Sequence, residues 1–255
     1  MLNSQTKSEQ PLKSKCSKCG GSHYILSYDQ EGRPIATPCE CLGKEIAESK
    51  LRFADIPEMY SDSDFESFKD VYYKDKKEIR FILAVCRNYV DNYGKKRSEG
   101  EGLYFYSQTK GSGKTMLTTA IAHELQKKDV TVKFSTSPTI IREIKKTWEE
   151  KGQGESKLLH DLAAVEVLII DDFGTEKVAD WINEKFFQII NERYVTKKPT
   201  IISSNYSVDE LVYDERIGNR LKERNIVLHF PEESVRDLIG KLRLEKLREE
   251  LANGQ

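Results

Sequence analysis

The chain has 255 residues, a third of them charged, with 41 Lys and Arg against 42 Asp and Glu for a net charge of −1. That length accommodates one domain of about 200 residues plus a small appendage. The near-zero balance excludes a global basic field that would draw nucleic acid, so any such contact must come from a local patch.

Residues 1–15 are polar and read as disordered. They lack the apolar centre of a signal peptide, and no later run is long enough to span a membrane, which predicts a cytoplasmic protein with no membrane partner. Thiols stay reduced in that compartment. Four of the five cysteines nevertheless cluster as Cys16-x-x-Cys19 and Cys39-x-Cys41, which reads as a structural Zn²⁺ site. Cys-x-Cys is a tight spacing for two ligands of one ion, so His23 is the alternative for one of the positions. Between the pairs, His23–Tyr28 and Arg33–Thr37 flank Asp-Gln-Glu-Gly and read as a hairpin. The segment has too few apolar residues to fold unaided, so the metal is its expected staple.

Residues 43–54 read as a helical connector stopped before Pro57. Lys76 to Tyr93 reads as an amphipathic helix ended by Gly94, with Ile79, Ile82, Leu83, Cys86, Tyr89 and Val90 on one face and Cys86 as plain core. Residues 95–102 read as a mobile polar loop. Strands are expected at 103–106, 130–134, 165–170, 200–204 and 226–230, separated by helices. That alternation predicts an α/β domain with a parallel sheet covered on both faces. The expected organisation is a zinc module at 1–43, a connector at 44–75 and the sheet domain at 76–255.

The strand Leu103–Tyr106 leads into Lys110-Gly-Ser-Gly-Lys-Thr115, and a helix opens at Met116. Strand, glycine loop and helix in that order form a phosphate-binding loop for a nucleoside triphosphate: backbone N–H groups and the positive helix end surround the phosphates. Gly111, Ser112, Gly113, Lys114, Thr115 and Met116 are the expected ATP contacts, with Lys114 reaching the β- and γ-phosphates and Thr115 holding Mg²⁺. The full pattern asks for glycine at 108, where this chain has Gln108.

Residues 138–164 are longer than one crossover helix needs and split at Gly152-Gln-Gly154. The first piece carries Ile140, Ile141, Ile144 and Trp148 on one face, with Arg142, Lys145 and Lys146 elsewhere. Val165-Glu-Val-Leu-Ile-Ile-Asp-Asp172 is an apolar run ending in two acids, where ligands bind in open α/β sheets. Asp171 is expected to hold Mg²⁺ through water, and Asp172 to polarise the attacking water. Pro199-Thr-Ile-Ile-Ser-Ser-Asn205 ends a further strand in an amide that can orient that water. Arg216 and Arg220 lie four apart on one helical face, and Arg236 follows the last strand. Hydrolysis needs such cations at the γ-phosphate. Residues 234–251, with Val235, Leu238, Ile239, Leu242 and Leu247, read as the remnant of a small helical lid.

These motifs together resemble the AAA+ replicative helicase loaders of the DnaC/DnaI type and the related IstB-like ATPases. The resemblance covers the phosphate loop, Ile-Asp-Asp-Phe-Gly174, Asn-Glu-Arg-Tyr194, Pro199–Asn205 and Arg-Ile-Gly-Asn-Arg220, with Phe53–Tyr60 and Phe65–Phe68 as the entry segment. It implies a sheet order of 5-1-4-3-2, Asn205 as sensor 1, Arg220 as an arginine finger acting on a neighbour's ATP (Arg216 being the alternative), and Arg236 as sensor 2. It further implies an ATPase that loads a replicative DNA helicase onto single-stranded DNA. The chain would form a homo-oligomer when bound to ATP or helicase, grip the helicase through its N-terminal module, and meet DNA through the inserted helices at 138–164, for which a solvated helix face is the alternative. A transposition helper of the IstB type and a non-hydrolysing adaptor, marked by Gln108, are the alternatives.

Overall fold

The computed structural model describes residues 16–42, 53–149 and 154–253. The expectations for residues 1–15 and 43–52 lie outside the described residues. The chain divides into two units, Met1–Lys50 and Leu51–Gln255.

In the first unit, β1 (Tyr24–Tyr28) pairs antiparallel with β2 (Pro34–Pro38), Tyr24 facing Pro38 and Tyr28 facing Pro34. The turn is held by Asp29, whose Oδ1 accepts from the backbone N–H groups of Glu31 and Arg33 at 2.9 and 2.8 Å. Every residue of both strands is exposed. A two-stranded hairpin without a buried face is at best marginal in water, so its order must come from the cysteine end.

The second unit is built on α1 (Lys76–Asp91), whose N-cap Asp75 accepts from the Lys77 and Glu78 N–H groups. Its buried stripe is Ile79, Ile82, Cys86, Tyr89 and Val90, and burial pushes the Cys86 thiol up, as suits plain core. The expected mobile loop at 95–102 is instead mostly α2 (Tyr93–Glu99), so Gly94 ends nothing. Asn92 breaks the helix, buried Tyr93 anchors the next turns, and Gly100 at φ +70° closes them in the left-handed cap that glycine favours.

The sheet strands are β3 (Gly102–Tyr106), β4 (Val132–Thr136), β5 (Val167–Phe173), β6 (Thr200–Ser204) and β7 (Asn225–His229). Between them lie α3 (Lys114–Lys127), α4 (Ser137–Glu149), α5 (Gly154–Ala164), α6 (Asp180–Val195) and α7 (Glu215–Arg224), with α8 (Val235–Asn253) last. All four pairings are parallel and the order is β4-β5-β6-β3-β7. Numbered within the sheet this is 5-1-4-3-2, as expected. β4 starts two residues later than expected because Asp129 and Val130 still bond back to Gln126 and Leu125, closing α3. β5 likewise starts late, since Val165 N–H still caps α5, and it runs through both acids to Phe173.

The strands alternate faces. Leu103, Phe105, Val167 and Ile169 meet α1 and α3 in one core, while Tyr104, Leu168 and Ile170 meet α4 to α7 in the other. The residues before α1 belong to the first core: Phe65, Phe68 and Tyr73 are buried in it, with Ile56 packed against it. The insertion splits into α4 and α5 as expected, with Ile140 and Ile144 buried and Arg142, Lys145 and Lys146 exposed. Trp148, expected on the apolar face, is exposed and meets Trp181 edge-on, ring centroids 4.8 Å apart. In α8, Val235 packs on the core, but Leu242 and Leu247 of the expected apolar stripe are exposed. No helix among the described residues is long and apolar enough to cross a membrane.

Candidate functional site

The phosphate loop leaves β3 at Tyr106 and enters α3 at Lys114. Gly111 and Gly113 take φ of +78° and +99°, which side-chain-bearing residues adopt at a cost. A Cβ on Gly113 would lie 2.5 Å from the Tyr73 hydroxyl, and one on Gly111 would lie 2.9 Å from Cβ of Arg236. Gln108 is not among the residues with positive φ, so its backbone does not demand glycine. Its N–H and that of Thr109 donate to Glu232 at 2.9 and 2.7 Å, and the Ser107 hydroxyl donates to the same carboxylate at 2.9 Å. Burial works to raise the Glu232 pKa, yet the bonds from Thr109, His229, Gln108 and Ser107 hold it at about 2.

Lys114 is buried and folds over its own loop, donating to the carbonyls of Ser107 and Thr109 at 3.1 and 3.2 Å and to the Ser112 hydroxyl at 3.2 Å. Burial lowers its pKa, opposed by the charges of Asp172, Glu232 and Asp171. Met116 packs partly on the first core.

The acids stand next to the loop. Thr115 Oγ1 donates to Asp171 at 3.1 and 3.0 Å, and Ser203 Oγ also donates to Asp171. Asp171 is buried, which raises its pKa to about 6, with the Asp172 charge adding to the effect. A divalent cation would supply the counter-charge, and the hydroxyl–carboxylate pair is the donor set Mg²⁺ prefers. Asp172 is exposed, with φ +53° at a break in the β5–β6 register. Its N–H donates to Ser203 Oγ at 3.2 Å, so one hydroxyl fixes both acids. Asn205 follows β6 directly and is half-buried.

Arg236 opens α8, and its N–H donates to the Gly111 carbonyl at 3.3 Å, which sets it on the phosphate loop. Arg216 and Arg220 are elsewhere. Arg216 is paired with Asp214, and Arg220 donates to Asn191 Oδ1 at 2.9 Å and to the Arg216 carbonyl at 3.1 Å. Their described partners lie on α6, on α7 and at the α7 N-cap.

Four contributors escaped sequence reasoning. Tyr73 donates to the Ser112 carbonyl at 2.6 Å, Phe68 lies beneath Gly113, Glu232 holds the loop's first turn, and Ser203 ties the acids. Only Ser203 had a signal, being a hydroxyl on the strand beside β5.

In the first unit, Cys16, Cys19, Cys39 and Cys41 bring their sulfurs within 4.8 Å of one another. Cys16–Cys39 and Cys19–Cys41 are 3.9 and 3.4 Å apart. Tetrahedral thiolates at ~2.3 Å from Zn²⁺ stand about 3.8 Å apart, so the four fit one ion. Against a burial effect that would raise it, bonds from Cys41 and from the Gly21 and His23 backbone bring Cys19 down to about 6. His23 Nδ1 lies 3.7 Å from Cys41 Sγ, outside the four-sulfur group.

Comparison with known proteins finds similarity to nucleotide-binding proteins. Residues 105–229 match the family described as IstB-like ATP binding protein. The chain is 27% identical to the replicative helicase loader DnaI of Bacillus subtilis over 206 residues, which is 75% of this chain and 65% of that protein. It is 28% identical to the replicative helicase loader DnaC of Escherichia coli K12 over 145 residues, 56% of this chain and 58% of that protein. Each match thus spans less than two thirds of the relative. A crystal structure of the DnaC helicase loader superposes with a TM-score of 0.59 at 27% identity, covering 69% of this chain and all of that one.

Proposed function

We propose that this chain, an AAA+ protein of the DnaC/DnaI type with an IstB-like ATP-binding core, is a cytoplasmic ATPase that delivers a replicative DNA helicase onto single-stranded DNA. The observation that carries the reading is the meeting of the Lys114–Thr115 loop with Asp171 and Asp172 across adjacent elements, in a chain similar to two helicase loaders. Lys114 would bind the β- and γ-phosphates, and Thr115 and Asp171 would hold Mg²⁺. Asp172, free of the Thr115 bond and exposed beside Asp171, would polarise the attacking water, with Asn205 orienting it. Arg236, already on the loop, would contact the γ-phosphate of its own subunit, and Arg220 that of a neighbour in a homo-oligomer. The four cysteines would hold a structural Zn²⁺, and the zinc module at 1–43 would grip the helicase ahead of the connector at 44–75 and the ATPase domain at 76–255.

Gln108 supports the adaptor alternative by sequence alone, and its unstrained backbone removes the steric ground for lost binding. The IstB-like match keeps a transposition helper as the second reading. Retention of partners from the native cell on immobilised full-length chain separates the two. A replicative helicase among them supports the loader, and a transposase in its place supports the helper.

A further inference from the structure

Arg216, Arg220 and Arg224 lie four apart on α7 and form one stripe. Phe187, Asn191 and Tyr194 of α6 interleave with them. Arg216 stands 4.1 Å from the Phe187 ring centroid, Arg220 stands 5.0 Å from Phe187 and 5.3 Å from Tyr194, and Arg224 stands 4.9 Å from Tyr194. All are within cation–π range.

The three arginines are not used alike. Arg216 is gripped by both oxygens of Asp214 at 2.8 Å, in the two-pronged geometry that satisfies a guanidinium best. Arg224 donates to the Glu99 carbonyl at 3.0 Å and has Glu223 at 3.9 Å. Arg220 alone of the three makes no ion pair among the described residues. Its Nε rests on the neutral Asn191 amide and one Nη on a carbonyl. Two helices merely stitched together would gain more from a carboxylate at 191. An amide and two ring faces hold the guanidinium still with no carboxylate in direct contact, Asp214 acting on it only from a distance.

The placement also says whose anion it meets. The phosphate loop follows the carboxyl end of β3, whereas Arg220 lines a recess with Thr200 and Asn225, the first residues of β6 and β7. The ends of a five-residue strand are roughly 13 Å apart at ~3.3 Å per residue. Arg220 therefore faces away from its own nucleotide, beside a groove along α6 lined by Phe187, Gln188, Asn191 and Val195.

We propose that Phe187, Asn191 and Tyr194 are positioning residues that hold Arg220, rather than Arg216, as the free cation presented to the γ-phosphate of a nucleotide bound by a second copy of this chain. This rests on the hydrolysis in trans advanced above. Asn191→Asp tests it, because the change is isosteric and gives Arg220 a carboxylate. A structural stitch would keep or gain thermal stability and leave turnover alone. The cradle instead predicts melting that is unchanged or raised, unchanged KM for ATP, and a kcat lower by about tenfold to a hundredfold, the effect of a misplaced catalytic group. Mixing Asn191→Asp with Lys114→Ala subunits should restore activity that neither has alone, since each supplies what the other lacks. Phe187→Leu should repeat the kcat loss, and Phe187→Tyr should rescue it. An active parent whose Asn191→Asp variant keeps full kcat, or whose mixtures show no rescue, overturns the cradle while hydrolysis stands. A parent that neither turns over ATP nor self-associates with it overturns the hydrolysis reading, and the ligand assigned to Arg220 falls with it.

Discussion

The Thr115 hydroxyl donates to both carboxylate oxygens of Asp171, at 3.1 and 3.0 Å, across 56 residues of sequence. The bond joins the first turn of α3 to the end of β5, and it defines the place where a metal ion would be inserted. Thr115→Val keeps the shape and removes the oxygen. It should leave metal-free ATP binding near the parent level and abolish the gain that Mg²⁺ gives, in titrations of a fluorescent ATP analogue with and without Mg²⁺. An unchanged Mg²⁺ effect would show that the ion is held elsewhere.

Lys114 folds over the phosphate loop and is already desolvated. Lys114→Ala should lower turnover by about 10²- to 10³-fold, the scale for losing one preorganised donor to transition-state charge. The same titration should show saturable binding by the parent and none by the variant at millimolar ATP. Equal binding by both proteins would contradict the assignment of the loop.

Glu232 makes acid stability measurable. Its folded pKa of about 2 lies below the ordinary 4.5, so it contributes stability above pH 4.5, and that contribution is lost as pH falls through 2. Glu232→Gln should be less stable than the parent at pH 7, and the two should converge as the pH drops from 4.5 toward 2. Melting curves across that range check this. A constant difference between the two would mean that the carboxylate charge is not what holds the loop.

Arg193 is almost fully buried and donates to the carbonyls of Leu162, Ala163, Val165, Glu166 and Pro199 and to the Thr200 hydroxyl. It ties the end of α5 to the starts of β5 and β6. Arg193→Met should cost about 3 kcal/mol or more, at ~1–3 kcal/mol for each stranded buried group. For a domain of this size that is a melting-point drop of about 6–12 °C. A drop of a degree or two would show that the carbonyls find other partners.

The parts of the fold that were legible in the sequence are those whose signal is local. Val165–Asp172 announces a strand buried on both faces, and Lys110–Thr115 announces its loop within six residues. The supports of the site are not local. Tyr73 reaches Ser112 across 39 residues and Glu232 reaches Thr109 across 123, and neither leaves a periodic trace. Residues 95–102 read as loop, although the structure has a helix at Tyr93–Glu99, because Gly94 and a run of charges resemble a helix stop. Buried Tyr93, with Arg97 beside Glu166 at 3.3 Å, supplies the tertiary anchor that outweighs the glycine. Arg193 carries no local sign of burial in the sequence, and only the neighbouring carbonyls reveal it.

The cysteine cluster predicts about one Zn²⁺ per chain in protein purified without chelator, the stoichiometry of a four-thiolate site. Cys41→Ser should lose the metal and His23→Ala should keep it. The reverse pattern would place His23 among the ligands.

The central claim is that ATP bound at Lys114 drives transfer of a replicative helicase onto single-stranded DNA. The direct measurement is the amount of helicase retained on closed circular single-stranded DNA after incubation with Mg²⁺, ATP and this protein. The full-length chain should raise helicase retention well above the level without it, and Lys114→Ala should not. Retention that is the same with the parent, with Lys114→Ala and with no added protein would contradict the account.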